Sequence, residues 1–476
     1  MLEDSDNEST LPLVVDIDGS LLKTDMLLES FWAAMGRHPV LCLLAVFKLI
    51  FQKAALKKRL AELSALDVSL LPFREEVIEL LQRAQKDGRE VILASGSDRT
   101  LVEPLSLRLG LNSEPMASDG LTNLTGRAKA EALTARYGAK GFIYLGDSMA
   151  DLPVWSAGEG GYIVATNPKL VKKAEEAGLS LTPVGKPNSG LALLKALRPH
   201  QWVKNVLLLL PLIASHRADM VSILLALWGI AVFSAAASSI YIVNDLMDLA
   251  ADRKHKTKCN RPFASGSATI LSGMGMTVAL AIVALGGAAL HSWQLAAIIL
   301  LYMALSLSYS MGLKRLRWVD ISTLAALYTL RVVAGSVAVG VAMSGWLGAF
   351  VFPVFLALGG VKRLIELGKA EDDAQLPGRG YAKKDRADLR NIAITASVGA
   401  IVVYSLYTYS EIAATLYKNL FEIRLAAIPV ALWLGRMIYR GWQGRMDYDP
   451  IVFALRDPIG LALMASGAFL LVHAAI

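Results

Sequence analysis

The chain has 476 residues, of which 54% are hydrophobic and only 19% charged, with a mean hydropathy of +0.47. That balance excludes an ordinary soluble enzyme. Residues 1–200 mix charged and apolar side chains as a globular domain does, whereas 205–476 are long apolar runs broken by short basic loops. The net charge of +7 is mostly carried by those loops, so nucleic-acid binding is not needed to explain it and none is expected. Cys42 and Cys259 lie far apart and suggest neither a disulfide framework nor a zinc site.

In chain order, Met1 to Thr10 is acidic and leads into a strand-like run without an apolar secretory core, so the front domain is expected in the cytosol. The run Leu13-Val-Val-Asp16-Ile-Asp18-Gly19-Ser20 predicts a buried strand ending in two acids and a glycine turn, where parallel-sheet active sites form. Residues 39–51 are apolar but too short and lysine-interrupted for a span, and Lys53, Lys57, Lys58 and Arg59 follow. They read either as an interfacial helix on an anionic leaflet or as a buried cap helix with a basic outer face. A second strand, 90–94, ends in Ser95-Gly96-Ser97; Gly126-Arg127-Ala128-Lys129 opens a helix; a third strand, 141–145, ends in Gly146-Asp147-Ser148 with Asp151 beyond. Residues 183–197 look like a linker.

Nine spans are expected near 205–216, 221–243, 271–290, 293–311, 319–341, 345–361, 391–410, 424–440 and 457–476. Every even-numbered loop is basic and the alternate ones are nearly bare, which predicts the N-terminus inside and the C-terminus outside. The loop after the second span spaces Asn244, Asp248 and Asp252 four apart, on one face of a helix. Three such oxygen donors repel one another near a membrane unless a divalent cation sits among them, and hard oxygen ligands suit magnesium. Lys258 and Arg261 follow, ready for phosphates; a solvated helix end with balanced acids and bases is the alternative. Tyr309, Lys314, Asp320, Lys362, Arg363 and Glu366 fall at span ends on the same side, and Lys204 precedes the bundle. Arg331, inside the fifth span, should face a polar cavity, with snorkelling as the alternative. Carboxylates ringed by cations at one membrane face fit a polyanionic soluble substrate meeting an isoprenoid lipid.

These residues resemble the UbiA-type intramembrane prenyltransferase superfamily over roughly 196–476, whose NxxxDxxxD motif is matched by Asn244, Asp248 and Asp252. The stretches RPHQWVKN, NDLMDLAADRKHKTKCNRP, YSMGLK, LRVVAG and KRLIEL are similar to the branch that transfers phosphoribose to polyprenyl phosphate. Aromatic prenyltransferases of the superfamily usually carry a second DxxxD motif, but here Leu324 stands four residues after Asp320. The resemblance implies phosphoribosyl pyrophosphate bound through magnesium, or manganese in its place, on Asn244, Asp248 and Asp252. Asp245 would lie beside the metal, with Lys204, Lys258 and Arg261 on the substrate's phosphates. Lys314, Lys362 and Arg363 would meet the lipid phosphate, and Asp248 and Asp252 would serve catalysis, with Tyr309, Asp320 and Arg331 also substrate-binding.

The front half, roughly 10–190 with a helical cap at about 25–73, resembles the haloacid dehalogenase-like hydrolases. The resemblance makes Asp16 the nucleophile and Asp18 the general acid and base. Ser95 and Lys129 would bind the transferring phosphoryl group, and Asp147 and Asp151 would complete a magnesium site with Asp16 and Asp18. Ser20 stands where many members have threonine, and a decayed, merely anchoring domain is the alternative reading. The expected architecture is an α/β Rossmann-like domain with a helical cap, then an all-α polytopic membrane domain. The expected function is a bifunctional enzyme of the bacterial inner membrane that makes a 5-phosphoribosyl lipid from polyprenyl phosphate and dephosphorylates it. A prenyltransferase with an aromatic or other acceptor and an independent phosphatase, or a transporter or scaffold with a regulatory soluble domain, are the alternatives. The sequence leaves room for a homo-oligomer.

Overall fold

The computed structural model describes residues 11–164, 168–185, 190–217, 219–369, 376, 378–446 and 449–476. The acidic N-terminus and part of the expected linker lie outside them. The first half builds a six-stranded, all-parallel sheet of β1 (Leu13–Val15), β2 (Val91–Asp98), β3 (Met116–Ser118), β4 (Ile143–Gly146), β5 (Gly160–Val164) and β6 (Leu181–Val184). Their order is β3-β2-β1-β4-β5-β6. Leu13 and Val15 pack into one core and Val14 into the other, as alternation along a strand requires when helices cover both faces. β3 and β6, which the sequence pattern did not reveal, are short edge strands with half-exposed positions, and Pro183 is tolerated in β6 because it lies at the sheet edge. Since β2 and β4 flank β1, the strand order reverses at the carboxyl end of β1, where a crevice opens.

Between β1 and β2 the chain leaves the sheet to form three cap helices, α1 (Met26–Arg37), α2 (Pro39–Leu49) and α3 (Lys53–Ser64). An antiparallel bridge between Leu22 and Phe73 closes the stem of this excursion.

Among the described residues, seven helices are long and apolar enough to cross a membrane: Met220–Met247, Ile270–His291, Trp293–Met311, Val319–Ala338, Gly345–Gly368, Lys383–Tyr407 and Pro458–Ala475. The expected first and eighth spans fall short of that length, so nine spans are not confirmed. The expected first span is a 3-10 helix, Pro199–Leu209, followed by one α turn, Leu210–Ala214, with Pro211 in its first turn. The expected eighth is a 16-residue helix, Ala427–Trp442, set off from Leu420–Leu425. Gly335 lets the 3-10 segment approach Val319–Ala338 at backbone distance, since a Cβ there would stand 2.1 Å from the Leu208 carbonyl oxygen.

Packing divides the chain into two compact units, one of 1–197 with 241–277 and one of 198–240 with 278–476. The segment carrying Asn244, Asp248 and Asp252 thus packs with the α/β domain, a partition that differs from a simple break near residue 196. Glu29 of α1 explains it: its carboxylate receives Arg253 Nη2 at 2.6 Å and Nη1 at 3.0 Å, with the pair almost wholly buried. Gly266 closes the same contact, lying so near Lys23 that a Cβ would meet its side chain at 2.6 Å.

Candidate functional sites

Asp16 emerges from β1 with its backbone N–H on the Leu145 carbonyl, which fixes it between β1 and β4. Gly19, at φ +75°, turns the chain back over Asp147; a Cβ there would stand 2.0 Å from Asp147 Oδ2. The buried Lys129 ammonium lies 2.6 Å from Asp16 Oδ1, 2.9 Å from Tyr144 Oη and 3.8 Å from Asp151. Tyr144 in turn donates to Asp151 at 2.7 Å. Asp16, Asp147 and Asp151 each offer one oxygen within 4.8 Å of the others. Asp18 stands apart from that group: its carboxylate accepts from the Met26 N–H at 2.7 Å, Ser97 Oγ at 2.7 Å and Ser95 Oγ at 3.3 Å.

Burial pushes the Asp16 carboxyl up to about 7 against the pull of Lys129, and burial together with Asp16 and Asp151 pushes Asp147 up to about 8. One lysine does not balance these carboxylates, so the donor set fits a magnesium ion, which supplies the missing positive charge. Of the residues expected in this site, the structure brings Asp16, Lys129, Asp147 and Asp151 together and sets Ser95 on Asp18; Tyr144, Ser97 and Lys57 join them without a signal in the sequence pattern. In sequence Lys57 belongs to the basic run after α2. It turns inward instead, donating from α3 to the Gly96 carbonyl at 2.5 Å and to Asn123 at 2.9 Å. Its place four residues after Lys53 on α3 gave no signal of this.

In the second acidic segment, Asp248 accepts helical continuity across the break after Met247: its N–H bonds to the Asn244 carbonyl at 3.0 Å, and the Asp252 N–H to the Asp248 carbonyl at 2.8 Å. Asn244, Asp248 and Asp252 therefore share a face as their spacing predicts. Asn244 Oδ1 is buried without a hydrogen-bond partner, an orphaned acceptor that suits a cation. Arg261 bridges Asp252 at 2.6 Å and Asp245 at 3.0 Å, and Lys258 is exposed.

In the other unit, Lys204 and Lys362 converge on Asp449, at 2.8 and 3.2 Å. Asp449, which caps the turn at Pro450, was not singled out from the sequence. Arg331 is buried as expected of a residue facing away from lipid; it donates to Asn205 and to Tyr302, both at 3.1 Å, with Phe233 and Tyr328 rings against its guanidinium. Tyr309, Asp320 and Arg363 come together in one buried network, Arg363 holding Asp320 at 2.5 and 2.8 Å and Tyr309 at 2.8 Å, with Arg379 joining them. Lys314 lies half-buried in a 3-10 turn, Leu313–Arg315.

Two family models match: the UbiA prenyltransferase family over residues 206–456 and the haloacid dehalogenase-like hydrolases over 13–156. Among relatives, the uncharacterized protein y4nM of Sinorhizobium fredii is 35% identical over 94% of this chain and 88% of its own. Nodulation protein NoeC of Azorhizobium caulinodans is 35% identical over 56% of this chain and 90% of its own. Decaprenyl-phosphate phosphoribosyltransferase of Mycobacterium tuberculosis is 30% identical over 59% of this chain and 93% of its own. This multi-pass membrane protein belongs to the UbiA prenyltransferase family and carries a haloacid dehalogenase-like phosphatase domain ahead of its transferase domain.

Proposed function

We propose that the chain is a two-step enzyme of the bacterial cytoplasmic membrane. The transferase half joins 5-phosphoribose from phosphoribosyl pyrophosphate to polyprenyl phosphate, and the front domain removes the 5-phosphate to leave polyprenylphosphoryl ribose. The similarity to decaprenyl-phosphate phosphoribosyltransferase supports the transfer. The observation that carries the coupling is the buried Glu29–Arg253 pair, which docks the phosphatase domain on the segment bearing Asp248 and Asp252. Against a second metal motif of the aromatic-acceptor kind, Asp320 is already satisfied by Arg363, Tyr309 and Arg379.

In the transfer, an oxygen of the lipid phosphate attacks the anomeric carbon as its bond to pyrophosphate breaks. Asn244, Asp248 and Asp252 would hold magnesium, which offsets charge on the leaving pyrophosphate. Lys258 and Arg261 bind phosphates of the soluble substrate, Arg261 exchanging its bridges to Asp245 and Asp252 for them; Lys204, Lys314 and Lys362 are assigned to the remaining phosphates, whereas Arg363, expected to meet the lipid phosphate, is wholly buried with its donors taken by Asp320, Glu366 and Tyr309. Catalysis is then mainly positioning and electrostatics. In the second step Asp16 attacks the 5-phosphoryl group while Lys129 and Ser95 hold its oxygens. Asp18 gives a proton to the departing ribose oxygen and then takes one from the water that opens the aspartyl phosphate. Asp16, Asp147 and Asp151 would hold the magnesium there.

The same buried pair supports the proposed orientation. Residues 29 and 253 lie on one side of the bilayer, so the chain between them crosses an even number of times. Met220–Met247 accounts for one crossing, and the segment 199–214 supplies the other. At about 2.0 Å per residue in the 3-10 part and about 1.5 Å in the α part, it spans about 30 Å, the thickness of the hydrocarbon core. The basic loops favour the cytosol as that shared side. The transfer is tested with purified protein, polyprenyl phosphate, ribose-labelled phosphoribosyl pyrophosphate and magnesium: wild type should yield labelled lipid and Asp248→Ala none. No labelled lipid from wild type contradicts the reading.

A further inference from the structure

The α2 helix and the turn after it expose an apolar face that the phosphatase chemistry does not use. Val40, Leu41, Leu43, Leu44, Phe47 and Phe51 all point outward, Phe47 with 84% and Phe51 with 96% of its surface exposed, while Cys42 and Ala45 on the opposite face are buried against α1 and α3. A buried cap helix, one of the two readings of this segment, is therefore not what forms. An exposed apolar face of this kind marks an interaction surface.

Two independent observations say what covers it. First, no acidic residue occurs between Glu29 and Glu62, whereas Arg37, Lys48, Lys53, Lys57, Lys58 and Arg59 do, and all but Lys57 are exposed. A protein partner would have to be acidic and apolar together; an anionic lipid leaflet is both by nature. Second, the turn into α2 is seated on the end of a membrane-crossing helix. Gly36, three residues before Pro39, packs so close to Met247 that a Cβ would stand 3.3 Å from the Met247 carbonyl oxygen, and Met247 is the last residue of the candidate span Met220–Met247. The buried Glu29–Arg253 pair holds α1 at that position. The start of α2 is thus fixed at the level where the chain's own helix leaves the bilayer.

We propose that α2 and the α2–α3 turn are an interfacial membrane anchor: Phe47 and Phe51 lie among the lipid acyl chains, and Lys48, Lys53, Lys58 and Arg59 lie among anionic headgroups. Since α3 also sends Lys57 into the phosphatase crevice, the anchor ties the mouth of that site to the leaflet surface. This stands whichever phosphate the domain removes.

The test uses the full chain in vesicles of phosphatidylcholine and phosphatidylglycerol. Cys259→Ser leaves the buried Cys42 as the remaining native thiol, and a nitrobenzoxadiazole probe is placed at Phe51→Cys, Leu43→Cys or Lys172→Cys. Lys172, on Pro168–Glu176 with its side chain 77% exposed, is the control. Phospholipid carrying a doxyl quencher high on the acyl chain should quench the probe at 51 and at 43 at least threefold more than the probe at 172. Equal quenching at all three positions overturns the proposal. A blue-shifted probe at 51 that doxyl lipid does not quench identifies a protein partner, or a second copy of the chain, and overturns it as well.

Discussion

Removing the charge of Glu29 should loosen the front unit. In Glu29→Gln the Arg253 guanidinium, with 6% of its side chain exposed, keeps its buried position and loses its counter-charge, while Thr24 loses the carboxylate that accepts its hydroxyl at 2.7 Å. Breaking a buried pair from one side costs about 3–5 kcal/mol. For a unit of this size each kcal/mol shifts the unfolding temperature by about 2–4 °C, so the unit's thermal transition should fall by about 6–20 °C in detergent. Replacing both partners, Glu29→Met with Arg253→Met, removes the uncompensated charge and should recover more than half of that loss, because two apolar side chains of similar volume are tolerated where one stranded ion is not. A shift under about 2 °C in Glu29→Gln refutes the docking role, as does a double variant less stable than either single one.

Three further outcomes follow from the crevice and the bundle. Asp16 and Asp147 have folded values raised to about 7 and about 8, so the metal-free domain binds more protons folded than unfolded; its stability should fall as pH rises from about 4 towards 8, and added magnesium should restore most at the alkaline end, as read by thermal unfolding with and without chelator. Lys129→Met strands Asp16 and should lower phosphatase turnover by about 100-fold or more while the yield of labelled lipid stays unchanged. Gly335→Val drives a side chain into the Leu208 carbonyl and should lower transferase activity and folded yield in membranes, whereas the same change at the open Gly399 should do neither.

What the sequence made legible is what short-range spacing controls. Asp16 and Asp18 after a β-branched apolar strand, serines after the second strand, and acids after a third are turn positions whose neighbours on a parallel sheet are nearly forced. The four-residue spacing of Asn244, Asp248 and Asp252 likewise sets their common face, and the helical hydrogen bonds across Asp248 keep it. Hidden from that kind of reading were partners hundreds of residues apart. Asp449 meets Lys204 from 245 positions away, and Glu29 meets Arg253 from 224. Periodicity says which way a side chain faces, not what arrives there. The same limit explains Lys57, indistinguishable in sequence from its outward neighbours, and Asp320, whose buried arginine partner no local pattern announces. Two of the nine expected spans are not long single helices for a different reason: hydropathy registers apolar length but not the 3-10 geometry of Pro199–Leu209 or the break at Ala426.

The coupling of the two halves is tested most directly by Asp16→Asn in vesicles supplied with polyprenyl phosphate, ribose-labelled phosphoribosyl pyrophosphate and magnesium. Resolving the labelled lipids should show the 5-phosphorylated species accumulating in the variant and its dephosphorylated product in wild type. An unchanged lipid profile in Asp16→Asn would contradict the account.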